Sequence, residues 1–194
     1  MTLLGAVWTE TCVWIGADSR HVAENMGDER GVTVEKLFPV CSESVSEGNH
    51  LVWGWYGNVG GRELDHFMRS TAFHSWDDLV DKCMRRAGEL RGPGVLGALI
   101  AGFFDGKRIA HHIGPREERI ETESSIFCGT CALAATTGFE SARRLAPAVD
   151  CETGVDTVLE TVIGLSNGAL GSPHSLWRID PDGSRQIRVA VVPP

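Results

Sequence analysis

Apolar and polar positions along the chain fall into short blocks, and their periods change at definite places. Leu3-Leu4-Gly5-Ala6-Val7-Trp8 and Cys12-Val13-Trp14-Ile15-Gly16-Ala17 flank the polar break Thr9-Glu10-Thr11. Residues 2–9 and 11–18 therefore predict the two strands of a hairpin. Residues 21–31 are polar and contain glycine, which predicts an exposed loop, and residues 32–40 return to strand character with Pro39 near the end. The polar stretch 42–49 closes on Gly48-Asn49. It leads into Leu51-Val52-Trp53-Gly54-Trp55-Tyr56, an aromatic and β-branched strand that stops at Gly57-Asn58.

From Gly61 the period lengthens. Leu64, Phe67 and Met68 stand at i, i+3 and i+4, the spacing of an amphipathic helix. Ser75 is placed to N-cap a second helix, with Asp77 and Asp78 in its first turn and Arg85 and Arg86 further along; this helix ends before Gly92-Pro93-Gly94. Strands are expected over 97–104 and 108–113 around Asp105-Gly106, a short polar one near Ile120, and another over 126–129. Helices follow near 131–146 and 153–166, the second carrying Val155, Val158, Leu159 and Val162 on one side. A last hairpin pairs 175–179 with 186–192 around Pro181-Asp182-Gly183. Strands, two helices, strands, two helices and strands again, in segregated runs, predict an α+β layered fold.

Composition narrows this only a little. The 194 residues are 42% hydrophobic and 23% charged, enough for one domain over 1–194 with its own core, and no repeat or linker divides them. A net charge of −8, from 18 basic and 26 acidic residues, argues against nucleic acid or an anionic membrane as the main partner. The longest apolar run, near 95–104, is broken by Gly97 and Gly102 and falls short of the roughly 18 residues of a membrane span. The first residues lack a basic region and Glu10 comes early, so no secretory signal is expected and a cytoplasmic location is. Six scattered cysteines in such a chain are expected to be reduced and mostly buried.

Candidate chemistry starts at Thr2. A threonine hydroxyl is a weak nucleophile that needs an adjacent base. Removal of Met1 leaves the Thr2 α-amine in that role, with a reference pKa of about 7.7–8.0. Ile15-Gly16-Ala17-Asp18-Ser19-Arg20, a strand ending in small residues and then Asp-Ser-Arg, follows closely, and Val34-Glu35-Lys36-Leu37 comes later. In this order the segments resemble the proteasome β-subunits and HslV-type bacterial peptidases. The resemblance implies an αββα sandwich, two antiparallel sheets between two helical layers. It also implies that Asp18 pairs with Lys36, whose ammonium lies near the Thr2 hydroxyl.

The same resemblance extends to three further segments. Gly54-Trp55-Tyr56-Gly57 implies that the Gly57 N–H faces the oxyanion of the tetrahedral intermediate. Gly129-Thr130-Cys131 implies that Thr130 orients the terminal amine. In Ser166-Asn167-Gly168-Ala169-Leu170-Gly171-Ser172, Asn167 stands where the family has an aspartate and Leu170 where it has a serine. An asparagine can hydrogen-bond but cannot hold a cationic amine as a carboxylate does. His21 and Trp55 match positions that shape the specificity pocket.

The implied activity is hydrolysis of amide bonds, chiefly in polypeptides, through an acyl-enzyme on Thr2, with no cofactor and no metal. Implied partners are further copies of the chain in a homo-oligomeric ring and an unfolding ATPase. Three rival readings stand beside this one. They are a catalytically inactive scaffold subunit, suggested by Asn167 and Leu170; a small-molecule amidase on the same fold; and a thiol or metal module on Cys128-Gly129-Thr130-Cys131, with His111-His112 as its nearest further ligands.

Overall fold

In a computed structural model of the chain, the described residues are 2–21, 32–40, 45, 47–57, 61–91, 96–114, 120–121 and 123–189. The two N-terminal apolar runs form strands β1 (Leu3–Trp8) and β2 (Val13–Ala17), in antiparallel register from Leu4↔Ala17 to Trp8↔Val13. Short strands β3 (Arg20–His21), β4 (Val32–Thr33) and β5 (Leu37–Pro39) come next, then β6 (His50–Gly57). Helices α1 (Gly61–Ser70) and α2 (Trp76–Arg91) precede β7 (Leu96–Phe104), β8 (Lys107–Ile113), β9 (Ile120–Glu121) and β10 (Ser125–Gly129). The chain continues through α3 (Ala132–Leu145), α4 (Cys151–Leu165), β11 (Ser175–Asp180) and β12 (Gly183–Arg188).

Among the described residues, one sheet has the order β12-β11-β2-β1-β10-β9, a second has β5-β6-β7-β8, and β3 pairs with β4 in a small ribbon. Both large sheets are antiparallel. Strand alternation distributes side chains into three apolar layers. From β1, Leu3 and Val7 join Phe127, Phe139, Val155 and Leu159 beneath α3 and α4, while Leu4, Ala6 and Trp8 join Val52, Tyr56 and Leu99 between the sheets. On the far side of the second sheet, Leu51, Trp53 and Ile100 pack against Leu64, Met68 and Leu79 of α1 and α2. The result is the expected αββα arrangement, and it explains why β1 is buried on both faces.

Helix ends follow local chemistry. The Ser75 hydroxyl accepts from the Asp78 N–H at 3.1 Å, which is the expected cap of α2. Asp150 caps α4 by accepting from the Thr153 N–H at 2.9 Å. That cap starts α4 at Cys151, two residues before the expected position 153. No helix among the described residues is long and apolar enough to cross a membrane.

Two strand expectations change. The single strand expected over 32–40 is two, β4 and β5, belonging to different sheets, with residues 34–36 crossing between them. The last strand begins at Gly183, directly after the Pro181-Asp182 turn, and not at Gln186; residues 190–192 lie outside the described ones, as do Cys41 and loop residues 22–31.

Candidate active site

The hairpin β1–β2 brings its two ends together, so Thr2, just before β1, lies beside Asp18, just after β2. The Leu3 N–H donates to Asp18 Oδ1 at 2.9 Å and the Asp18 N–H to the Leu3 carbonyl at 3.2 Å. The Val34 N–H donates to the Ser19 carbonyl at 2.7 Å, prolonging the β3–β4 ladder and aiming the next segment at the same place. From that crossing Lys36 reaches inward. Its Nζ donates to Asp18 Oδ1 at 2.9 Å and to Thr2 Oγ1 at 3.1 Å. All three residues are buried.

Asp18 is only 1% exposed and gathers donors from three directions. Besides Leu3 and Lys36, the Arg20 N–H reaches Oδ2 at 3.0 Å and the Gly171 N–H reaches it at 3.1 Å. A carboxylate so surrounded can balance a buried ammonium, which by itself is costly. Burial pushes the Lys36 ammonium below the ordinary lysine range, and the adjacent Asp18 carboxylate opposes that shift. Lys36 is thus a charge held against the Thr2 hydroxyl with little water to screen it.

On the other side of β1 the chain end is gripped by β10. The Thr130 N–H donates to the Thr2 carbonyl at 2.8 Å. The preceding residue must be glycine: Gly129 has φ 86°, and a Cβ there would lie 2.1 Å from the Thr2 carbonyl oxygen. The link from Thr130 to Thr2 is therefore made by backbone, and its side chain is half-buried. Gly57 ends β6 opposite Leu96, at φ 128°. The Tyr56 ring beside it packs near Gly129, and the Tyr56 hydroxyl shares a 2.7 Å hydrogen bond with His112 Nε2.

Other expected site residues lie elsewhere. Asn167 sits on the exposed turn after α4, in the left-handed region at φ 51°, and among the described residues its side chain makes no hydrogen bond to the Thr2–Lys36–Asp18 cluster. The Gly171 backbone is what this turn contributes. Leu170, in place of the expected serine, is 3% exposed and packs into the layer beneath α3 and α4. Trp55 occupies the helix-facing side of β6, in the layer under α1, where its ring lies so close to Gly61 that a Cβ there would meet it at 2.3 Å. Its neighbour Tyr56 faces the Thr2 side. The specificity-pocket role expected for Trp55 does not follow from that placement. The His21 side chain lies outside the described ones.

Cys128 and Cys131 do not converge. Cys128 is buried between the sheets, whereas Cys131 is exposed at the N-terminal end of α3. His111 packs edge-on to Trp76 on the helix side and His112 turns the other way to Tyr56. Among the described residues no group of three or more His, Cys, Asp or Glu side chains is placed to hold a metal ion.

Sequence reasoning missed Glu35, Ser175 and Gln186, which surround the Lys36 segment, and the Gly171 N–H on Asp18. The one available signal was the position of Glu35 next to Lys36; the rest come from remote strands.

No family model and no curated protein matches the chain. Among solved structures it is similar to Anbu (ancestral beta-subunit) from Yersinia bercovieri, with a TM-score of 0.69 and 16% identity, over 95% of this chain and 86% of that one. The membership of the proteasome β-subunit and HslV-type family that the motifs imply is corrected by these findings, which give a distant structural neighbour in place of a family match. At that identity the likeness speaks for fold alone. The chain has a mixed α+β, proteasome-like fold with two antiparallel sheets and four helices among its described residues.

Proposed function

We propose that this protein is a hydrolase of amide bonds that uses Thr2 as its nucleophile once Thr2 is N-terminal. The observation that carries the reading is the Lys36 ammonium, buried and shared between Thr2 Oγ1 at 3.1 Å and Asp18 Oδ1 at 2.9 Å. A cation held against a hydroxyl stabilises the charge that develops on its oxygen, while Asp18 keeps the cation in place.

In the first half-reaction the hydroxyl proton passes to the Thr2 α-amine and Oγ1 bonds to the substrate carbonyl carbon. Collapse of the tetrahedral intermediate breaks the C–N bond, and the amine returns the proton to the leaving nitrogen. A water molecule, deprotonated by the same amine, then attacks the ester; the acyl–Oγ1 bond breaks, the acid leaves, and the amine returns the proton to Oγ1. Gly57, at the strand end near this site, is the proposed oxyanion donor, and Thr130 positions the residue that carries the amine. Polypeptides are the proposed substrates and copies of the chain, with an ATPase, the proposed assembly.

A second reading, a scaffold without activity, is favoured by one observation: Asn167, which stands in place of an aspartate, is exposed and makes no hydrogen bond to the cluster among the described residues. Intact mass and a β-lactone probe separate the two. The hydrolase is expected to lack Met1 and to carry the probe on Thr2, with no labelling in Thr2→Ala. Uniform retention of Met1, or an unlabelled Thr2 in chain whose Met1 is gone, would overturn the catalytic reading.

A further inference from the structure

We propose that Glu35 is a positioning residue for the Thr2 site, its carboxylate fixing the crossing segment that delivers Lys36. The inference deepens the hydrolase reading and, for its effect on rate, rests on it. Residues 34–36 belong to no strand; they pass from the β3–β4 ribbon to β5 in the second sheet. Beyond the Val34 N–H on the Ser19 carbonyl, the crossing lacks the ladder that holds a strand in register, so a further contact is needed to fix the backbone of Lys36.

Glu35 supplies it. Oε1 accepts from the Lys36 N–H and the Leu37 N–H, each at 3.2 Å, and from the Ser175 hydroxyl. Oε2 accepts from Gln186 Nε2 at 2.8 Å. One carboxylate therefore ties the backbone on which Lys36 is mounted to β11 and β12 of the first sheet. Ser175 is 1% exposed and pairs with Ala17, the residue before Asp18. The clamp thus references the Lys36 segment to the strand end that carries its own carboxylate partner. Glu35 touches neither Thr2 nor substrate; it acts through the Lys36 backbone.

The donor pattern makes the idea testable by exchange. In Glu35→Ala the Lys36 and Leu37 N–H groups, the Ser175 hydroxyl and the Gln186 amide all lose their acceptor, whereas in Glu35→Gln the Gln186 amide can turn over to accept from the new N–H groups, so the contacts are kept and only the charge is lost. In Gln186→Glu two carboxylates face each other. In the double variant the amide at position 35 keeps its oxygen towards Lys36, Leu37 and Ser175 and donates to the carboxylate at 186, restoring every contact while moving the negative charge away from Lys36.

The experiment measures two quantities in wild type, Glu35→Ala, Glu35→Gln, Gln186→Glu and the Glu35→Gln/Gln186→Glu double: the rate of β-lactone labelling of Thr2 across pH, and the titration of the Lys36 side chain by NMR. The sequence has three lysines, Lys36, Lys82 and Lys107, which makes that signal assignable. Glu35→Ala and Gln186→Glu are each expected to label about tenfold more slowly at neutral pH, and Glu35→Gln and the double within about threefold of wild type. The Lys36 midpoint should shift further in Glu35→Ala than in Glu35→Gln, which loses the same charge and keeps the contacts. Glu35→Ala labelling like wild type, or Glu35→Gln as slow as Glu35→Ala, would overturn the proposal. If wild type itself is unlabelled, the hydrolase reading falls separately, and equal Lys36 midpoints in Glu35→Ala and Glu35→Gln still decide against the clamp.

Discussion

At the scale of single residues, Asp18 holds the greatest share of the site's order. It accepts from three backbone N–H groups and from Lys36 while almost wholly buried. Asp18→Asn keeps the shape but removes the charge, leaving a buried ammonium uncompensated and turning an amide towards groups that can only donate. The expected cost is about 3–5 kcal/mol in urea unfolding, with loss of Thr2 labelling. The same logic accounts for the lowered Lys36 pKa, since burial outweighs the carboxylate that opposes it. An ammonium in that state is poised to lose its proton more readily than a surface lysine, so removing Asp18 should lower its midpoint further.

At the scale of elements, what matters is how strand ends meet. β1 runs between β2 and β10, and its first residue, Leu3, pairs with Gly129 at the end of β10. That register puts the Thr2 carbonyl against the Thr130 N–H and leaves room for glycine only. Gly129→Ala combines a left-handed backbone with a clash against a main-chain oxygen. Conformational strain alone is expected to cost about 1–3 kcal/mol, read as a lower urea midpoint. The displaced Thr2 should also label more slowly, whereas a change at solvent-exposed Gly106, which has open space around it, should leave labelling unaltered.

At the scale of the whole molecule, α4 and the first sheet are joined by an ionic patch. His174, just before β11, is buried and its Nε2 lies 2.7 Å from Asp156 Oδ1 on α4. Arg188 of β12 reaches Asp156 and Glu160, each at 2.6 Å. Burial lowers the His174 pKa from 6.5, opposed by its hydrogen bond to the Asp156 carboxylate. The unfolded chain therefore binds this proton more readily than the folded one. The resulting stability is fully present above about 6.5 and is lost as pH falls through that value towards the folded pKa. Thermal midpoints measured between pH 7.5 and 5.5 should fall more steeply for wild type than for His174→Gln; parallel slopes would assign the acid sensitivity to other groups.

The sequence by itself determined the elements and named the central residues. Short apolar runs on either side of Thr9-Glu10-Thr11 specified the β1–β2 hairpin, the i, i+3, i+4 spacing specified α1, and Ser75 specified the start of α2, because each signal is written in neighbouring residues. Thr2, Asp18 and Lys36 were legible as candidates from their order and local motifs. Only the tertiary structure decided that Lys36, 34 residues from Thr2, reaches its hydroxyl. It alone split the expected 32–40 strand, turned Tyr56 inward and Trp55 outward, set the Gly171 N–H on Asp18, and placed Ser175 and Gln186 around Glu35. Alternation dictates that adjacent strand residues face opposite sides, but which side holds the site depends on long-range register between sheets. Local pattern carries no record of that register, so the convergence of distant side chains is decided by packing.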